Sequence, residues 1–334
     1  MPVMNRLSAR QGWATLLALL LAMVMTQPAR ADCTTSSATA SLGTVSSFAA
    51  AASAQGTTAS SGIACSGSGT LTLITTNTIT ATIQSATGSN GNQPRLHDPA
   101  TGDYLPFLIC RDASCAATYQ IGNQITWTST TFLGLLNLFT GPGSTLPLYF
   151  RTVPGTQVAA GTYTSTVTIA WNWNICSVGA LICLVRDTGT GTSTVTLSLV
   201  VERDCAITAP PVDFGSAPLV GSFDPVTRTI TLLCSKDAAY TVGINNGLHA
   251  SGGVRRLSNG GAFIAYDLFY PAASGARWGA TGGERRGSGE ATTNAGIYNG
   301  TTSQTYTYRA EIAPNQPTPA AGTHTDTLTL DVQF

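Results

Sequence analysis

Two stretches of this chain alternate apolar and polar residues with the period of a half-buried β-strand. At the C-terminal end Leu328, Leu330, Val332 and Phe334 share one face, and Thr327, Thr329, Asp331 and Gln333 share the other. Upstream, Val195, Leu197, Leu199 and Val201 alternate with Thr194, Thr196, Ser198 and Val200. A Thr-rich run at 70–83, a strand-like stretch at 239–244 and bulky apolar segments at 104–110 and 263–270 also read as strands, while long helical periodicity is absent beyond residue 31.

The strands fall into two ordered sets. Each opens with a pair of cysteines, 33 and 65 or 205 and 234, and then shows a Thr-rich or small-residue strand and a bulky one, followed by Tyr119 or Trp278. Ala159-Ala160-Gly161-Thr162 and Ala320-Ala321-Gly322-Thr323 both precede a last alternating strand. Short strands separated by Gly/Pro-rich turns, in about 130–170 residues per set, predict an all-β chain of two β-sandwich domains.

The leader breaks this pattern. Arg6 and Arg10 precede an apolar run from Ala14 to Met25, and Ala29-Arg30-Ala31 fits a cleavage site, which predicts a signal peptide over 1–31 and a mature chain from Asp32. A run of roughly a dozen residues is too short to span a bilayer.

Composition narrows the function. Sixteen basic and sixteen acidic residues, with Lys236 the only lysine, supply no field for nucleic acid, and the Arg255-Arg256 and Arg285-Arg286 pairs read as solvated loop charges. Eight cysteines behind a signal peptide predict disulfides. Although eight allow 105 connectivities, spacing groups them as Cys33–Cys65, Cys110–Cys115, Cys176–Cys183 and Cys205–Cys234. His97, His249 and His324 are far apart and none adjoins a cysteine couple, so neither zinc nor another cofactor is expected. The sequence has no G-x-S-x-G elbow, Walker loop or H-E-x-x-H, which argues against an enzyme.

A more specific signal lies in Cys205, Asp213-Phe214-Gly215, Cys234, Tyr240, Arg256-Leu257, Tyr266-Asp267-Leu268, Trp278-Gly279 and Gly322-Thr323-His324-Thr325-Asp326. With these residues 204–334 resemble the spore coat protein U domain, the pilin module of archaic, Csu-type chaperone–usher pili. Residues 32–203 resemble a divergent copy without an evident Asp-Phe-Gly. The resemblance implies immunoglobulin-like sandwiches, the C-terminal one an incomplete pilin fold awaiting a donor strand. Leu328, Leu330, Val332 and Phe334 would border the groove, and filling it from another chain is a form of β-augmentation. The partners implied are a periplasmic pilus chaperone, an outer-membrane usher and the next pilus subunit.

Subunits of this kind carry a donor segment before the first cysteine, whereas only Asp32 precedes Cys33 here. The expectation is a chain that accepts a strand without donating one, with residues 192–201 completing the first domain in cis through Val195, Leu197, Leu199 and Val201. That describes a tip adhesin, exported through the periplasm to the fibre end and supporting adhesion and biofilm formation. Its candidate contacts with an abiotic or host surface are Phe132, Leu133, Leu135, Leu136, Leu138 and Phe139 in one apolar stretch. Val178, Leu181 and Ile182, between Cys176 and Cys183, form the second set. Two other readings of these segments stay open: they are core strands or a buried helix, or Trp171 and Trp173 form the sugar platform of a secreted lectin-like module. A structural or adaptor pilus subunit is the remaining alternative.

Overall fold

The structure, a computed structural model, describes residues 32–66, 76–129, 137–179 and 182–334. The first half contributes β1 (Asp32–Thr35), β2 (Ala38–Ser46), a short helix α1 (Ser47–Ala52), β3 (Gly56–Ser60), β4 (Ile63–Ser66), β5 (Asn77–Ala86), β6 (Arg95–His97), β7 (Tyr104–Cys110), β8 (Thr118–Tyr119), β9 (Gln124–Ser129), β10 (Pro147–Thr152), β11 (Gly161–Gly179) and β12 (Cys183–Glu202). The second contributes β13 (Cys205–Thr208), β14 (Val226–Cys234), β15 (Thr241–Ile244), β16 (Arg255–Asn259), β17 (Ala262–Phe269), β18 (Arg286–Gly287), β19 (Gln304–Ile312) and β20 (Leu330–Gln333).

Alternation decides which residues enter the interior. On β5 the side chains of Ile79, Ala81 and Ile83 are fully buried between half-exposed threonines, and on β19 Tyr306, Tyr308, Ala310 and Ile312 are buried while Thr305, Thr307, Arg309 and Glu311 are not. In the first half β2–β12–β11–β5–β9 forms one arm and β3–β10–β7–β8 another, with β6 joining β11 to β7. Both arms feed one apolar cluster that includes Ile83, Phe107, Phe150, Ile169, Trp171 and Leu197. The second half has a five-stranded sheet, β13–β14–β19–β17–β16, and a three-stranded one, β18–β15–β20, around Val242, Trp278 and Tyr306.

Disulfides join Cys33 to Cys65, Cys110 to Cys115, Cys176 to Cys183 and Cys205 to Cys234. Cys33 faces Cys65 across β1 and β4, and Cys205 faces Cys234 across β13 and β14, so each half carries the same cross-strand link near its start. Tyr163 sits at the start of β11 and donates from its hydroxyl to Ala159 O at 2.7 Å, which locks that corner; burial pushes the phenol's pKa well above its ordinary value.

The arginine pairs differ from the expectation of solvated charges. Arg255 is fully buried: its guanidinium pairs with Asp267 and donates to Asn245 O at 2.9 Å, Ile244 O at 2.7 Å and Trp278 O at 2.8 Å. The Arg285 and Arg286 side chains are also largely covered, at 8% and 10% exposure. A guanidinium can enter an interior when carbonyls and a carboxylate take its donors, and here they come from the end of β15, from Asp267 within β17 and from the connection that carries Trp278.

The halves meet closely. Only Arg203 and Asp204 separate β12 from β13. Across the junction Ser47 Oγ and Ser235 Oγ lie 2.7 Å apart, Ala159 bridges Lys236 in parallel fashion, and Lys236 pairs with Asp103, whose other oxygen accepts from Ala159 N at 2.8 Å. The hydrogen bond to Asp103 raises the pKa of Lys236.

Candidate functional site

The last strand crosses from one sheet to the other. Thr325 bridges Ser258 on β16, after which β20 pairs with β15 alone. That crossing shortens the alternating segment 327–334 to a ladder over 330–333. Leu328, Leu330 and Val332 are half-buried against the second cluster, whereas Phe334 lies beyond the ladder, 48% exposed, with its ring 5.8 Å from the Arg203 guanidinium. Among the described residues the second edge of β20 has no neighbouring strand.

A cleft of ≈550 Å³ opens between segments 212–223 and 318–326. Its apolar wall comes from Val212, Phe214, Val220, Phe223, Ile264 and Ile312. Its rim is fixed by Asp326, whose carboxylate accepts from Leu248 N at 2.9 Å and from the Tyr266 hydroxyl at 2.8 Å. Burial, and then this bond to Asp326, push the Tyr266 pKa far above its ordinary value, so the phenol stays a neutral donor. Phe214, Leu257 and Asp326 stand out in the sequence as carriers of the family resemblance, but not as parts of one cleft. The cleft's signal is the spacing of Val212 and Phe214 after Cys205, which resembles that of Ala40 and Leu42 after Cys33.

The first half shows what occupies the corresponding place. There Thr164 bridges His97 on β6 and β11 continues along β5, as Thr325 bridges Ser258 on β16 and β20 continues along β15. The free edge of β11 is filled by β12, which runs antiparallel to β11 and parallel to β2. Val195, Leu197, Leu199 and Val201 on β12 are all buried, at most 2% exposed.

β11 and β12 run on together to a tip tied by Cys176–Cys183. Ile182 at this tip is 69% exposed. Val178 pairs its backbone with Val185, while its side chain and all of Leu181 lie outside the described residues, as do Phe132, Leu133, Leu135 and Leu136. Leu138 and Phe139 are half-buried against the first cluster. The hairpin below the tip is stiffened by Trp173 Nε1 donating to Asp187 Oδ2 at 3.2 Å and Arg186 Nη1 to Asn174 Oδ1 at 2.7 Å. Trp171 is 2% and Trp173 8% exposed, and Trp171 Nε1 donates to Ser193 Oγ at 2.8 Å. Neither ring face is free, which removes the sugar platform that the two tryptophans suggested. No cluster of three metal-ligating side chains occurs among the described residues.

No curated protein sequence matches this chain. Among solved structures it is similar to the tip adhesion subunit CsuE of the Csu pili of Acinetobacter baumannii, determined in a pre-assembly complex with the chaperone CsuC. That match has 27% identity and a TM-score of 0.64, covering 91% of this chain and 100% of that one. Weaker likenesses are to CfaE, the adhesive subunit of CFA/I fimbria of enterotoxigenic Escherichia coli (9% identity, 75% and 74% covered, TM-score 0.31), and to a tip adhesin of Pseudomonas aeruginosa (10%, 91% and 95%, 0.30). The family profile of the Spore Coat Protein U domain matches residues 19–170 and 191–331. Two matches, together spanning most of the sequence, place both halves in one lineage: the chain belongs to the Spore Coat Protein U domain family.

Proposed function

We propose that this protein is the tip adhesin of an archaic chaperone–usher pilus, with residues 32–203 as the adhesive domain and 204–334 as an incomplete, immunoglobulin-like pilin domain. The observation that carries the reading is the full-length similarity to CsuE, a tip subunit captured with its chaperone. The internal comparison supports the division of labour. β12 fills the edge of β11 in the first half, whereas the equivalent edge of β20 has no neighbouring strand among the described residues, and the segment leading into it, up to Asp326, lines the cleft. A strand donated by another polypeptide would take the place of β12 there, from a periplasmic chaperone first and then from the next subunit, delivered through an outer-membrane usher. Residues 192–201 act as the donor of the first domain in cis. Leu328, Leu330 and Val332 form the floor of the acceptor groove. Adhesion, supporting biofilm growth at the cell surface, uses the hairpin tip around Ile182 together with the apolar segment 132–139, and requires no catalysis.

An open strand edge aggregates unless covered. Periplasmic expression of the full chain, with and without the chaperone of its own pilus system, tests this. A soluble complex that forms only with the chaperone is expected, and a stable, soluble, chaperone-free monomer would overturn the acceptor assignment.

A further inference from the structure

The open-edged strand β20 is held by an arginine on its outer face. β20 meets β15 through only four pairs, Thr241–Gln333, Val242–Val332, Gly243–Asp331 and Ile244–Leu330. Val242, Ile244, Leu330 and Val332 contribute to the interior, which leaves Gly243 and Asp331 side by side on the outer face. Arg285 lies across them with its side chain 8% exposed. Its Nη1 pairs with Asp331 Oδ2 at 2.8 Å and donates to Ala280 O at 2.9 Å. Nη2 donates to Thr241 O at 3.0 Å and Asp331 O at 3.3 Å, and Nε to Thr241 Oγ1 at 3.0 Å. The seat exists because residue 243 is glycine: a Cβ there would stand 2.3 Å from Arg285 Nη1.

We propose that Arg285 is a positioning residue for strand acceptance, fixing the register of β20 on β15 so that its free edge meets an incoming strand in one phase. The inference rests on the acceptor role of the second half. A one-residue slip of β20 would turn Leu330 and Val332 outward, and a two-residue slip would put Thr329 or Gln333 opposite Gly243, without a carboxylate for the guanidinium. A short edge strand with one neighbour frays readily, and a charge-assisted fork to both its backbone and its side chain opposes this. Because the fork lies on the outer face, the apolar face remains available to the partner.

Hydrogen exchange on the full mature chain in its chaperone complex, read beside the fraction of fibres carrying a tip, tests the assignment. Arg285→Ala should speed exchange at the amides of 330–333 about tenfold or more, the scale of one charge-assisted hydrogen bond, while amides of β14 and β19 stay protected. Fewer fibres should then carry a tip. Asp331→Asn, which keeps the packing and removes the charge, should give a smaller shift of the same sign and remains informative if Arg285→Ala does not accumulate. Unchanged exchange at 330–333 would overturn the role of Arg285 whatever the protein does. Faster exchange with normal tip incorporation would overturn it as a positioning residue and leave the acceptor reading intact. A wild-type chain that never enters fibres would instead refute that reading.

Discussion

At the scale of single residues, exposure separates candidate contacts from scaffold. Ile182, at 69% exposed, packs against little, so Ile182→Ser should change stability by less than about 0.5 kcal/mol. Adhesion to hydrophobic material should fall, measured as attached cells at equal fibre number; unchanged attachment would argue against the hairpin tip. Trp173 is the opposite case. A Cβ at Gly189 would come within 2.4 Å of its ring, so Gly189→Ala should lower the thermal unfolding midpoint through roughly 1–3 kcal/mol of overpacking. The role of Trp171 and Trp173 stayed open in the sequence, and the arginine pairs were misread, for one reason: an alternating Trp-Asn-Trp-Asn run does not say which face is covered. Nor does an Arg-Arg pair say whether carbonyls await it. Both are decided by residues distant in sequence, such as Ser193 for Trp171 and Trp278 for Arg255.

At the scale of elements, β12 buries Val195, Leu197, Leu199 and Val201 in the first core. Leu197→Ala should cost about 2–5 kcal/mol in urea unfolding of the full chain. Ending the chain near Gly191 removes four buried side chains, a gross loss of ~6–12 kcal/mol. That is comparable with the whole stability of a domain, about 5–15 kcal/mol, so residues 32–191 should fail to fold whereas 32–203 should fold. Equal stability of the two would contradict the cis donor strand. This element was legible because its period-2 pattern survives intact, as was the equivalence of the two last strands from the repeated Ala-Ala-Gly-Thr. The cleft was not legible. Its wall is assembled from Val212, Phe214, Ile264 and Ile312 on separate segments, and no local pattern announces a space between them.

At the scale of the molecule, the two halves are coupled through one short junction. The Lys236–Asp103 pair and the Ser47–Ser235 contact tie the first half to the second beside a two-residue connection. Lys236→Met should resolve the calorimetric unfolding of the chaperone complex into more widely separated transitions. Because the lysine's pKa is raised in the folded state, its contribution is fully present below the ordinary lysine value of about 10.4 and is lost as pH rises through the folded value. The junction is therefore insensitive to acidification through the lysine.

A chain that receives a strand without donating one stands at one end of its fibre. Immunogold electron microscopy of fibres from cells producing the native chain, with antibodies against residues 32–203, tests it most directly. Label is expected at one end of each fibre and none along the shaft. Label repeated along the shaft, or fibres of normal number with no label at all, would contradict it.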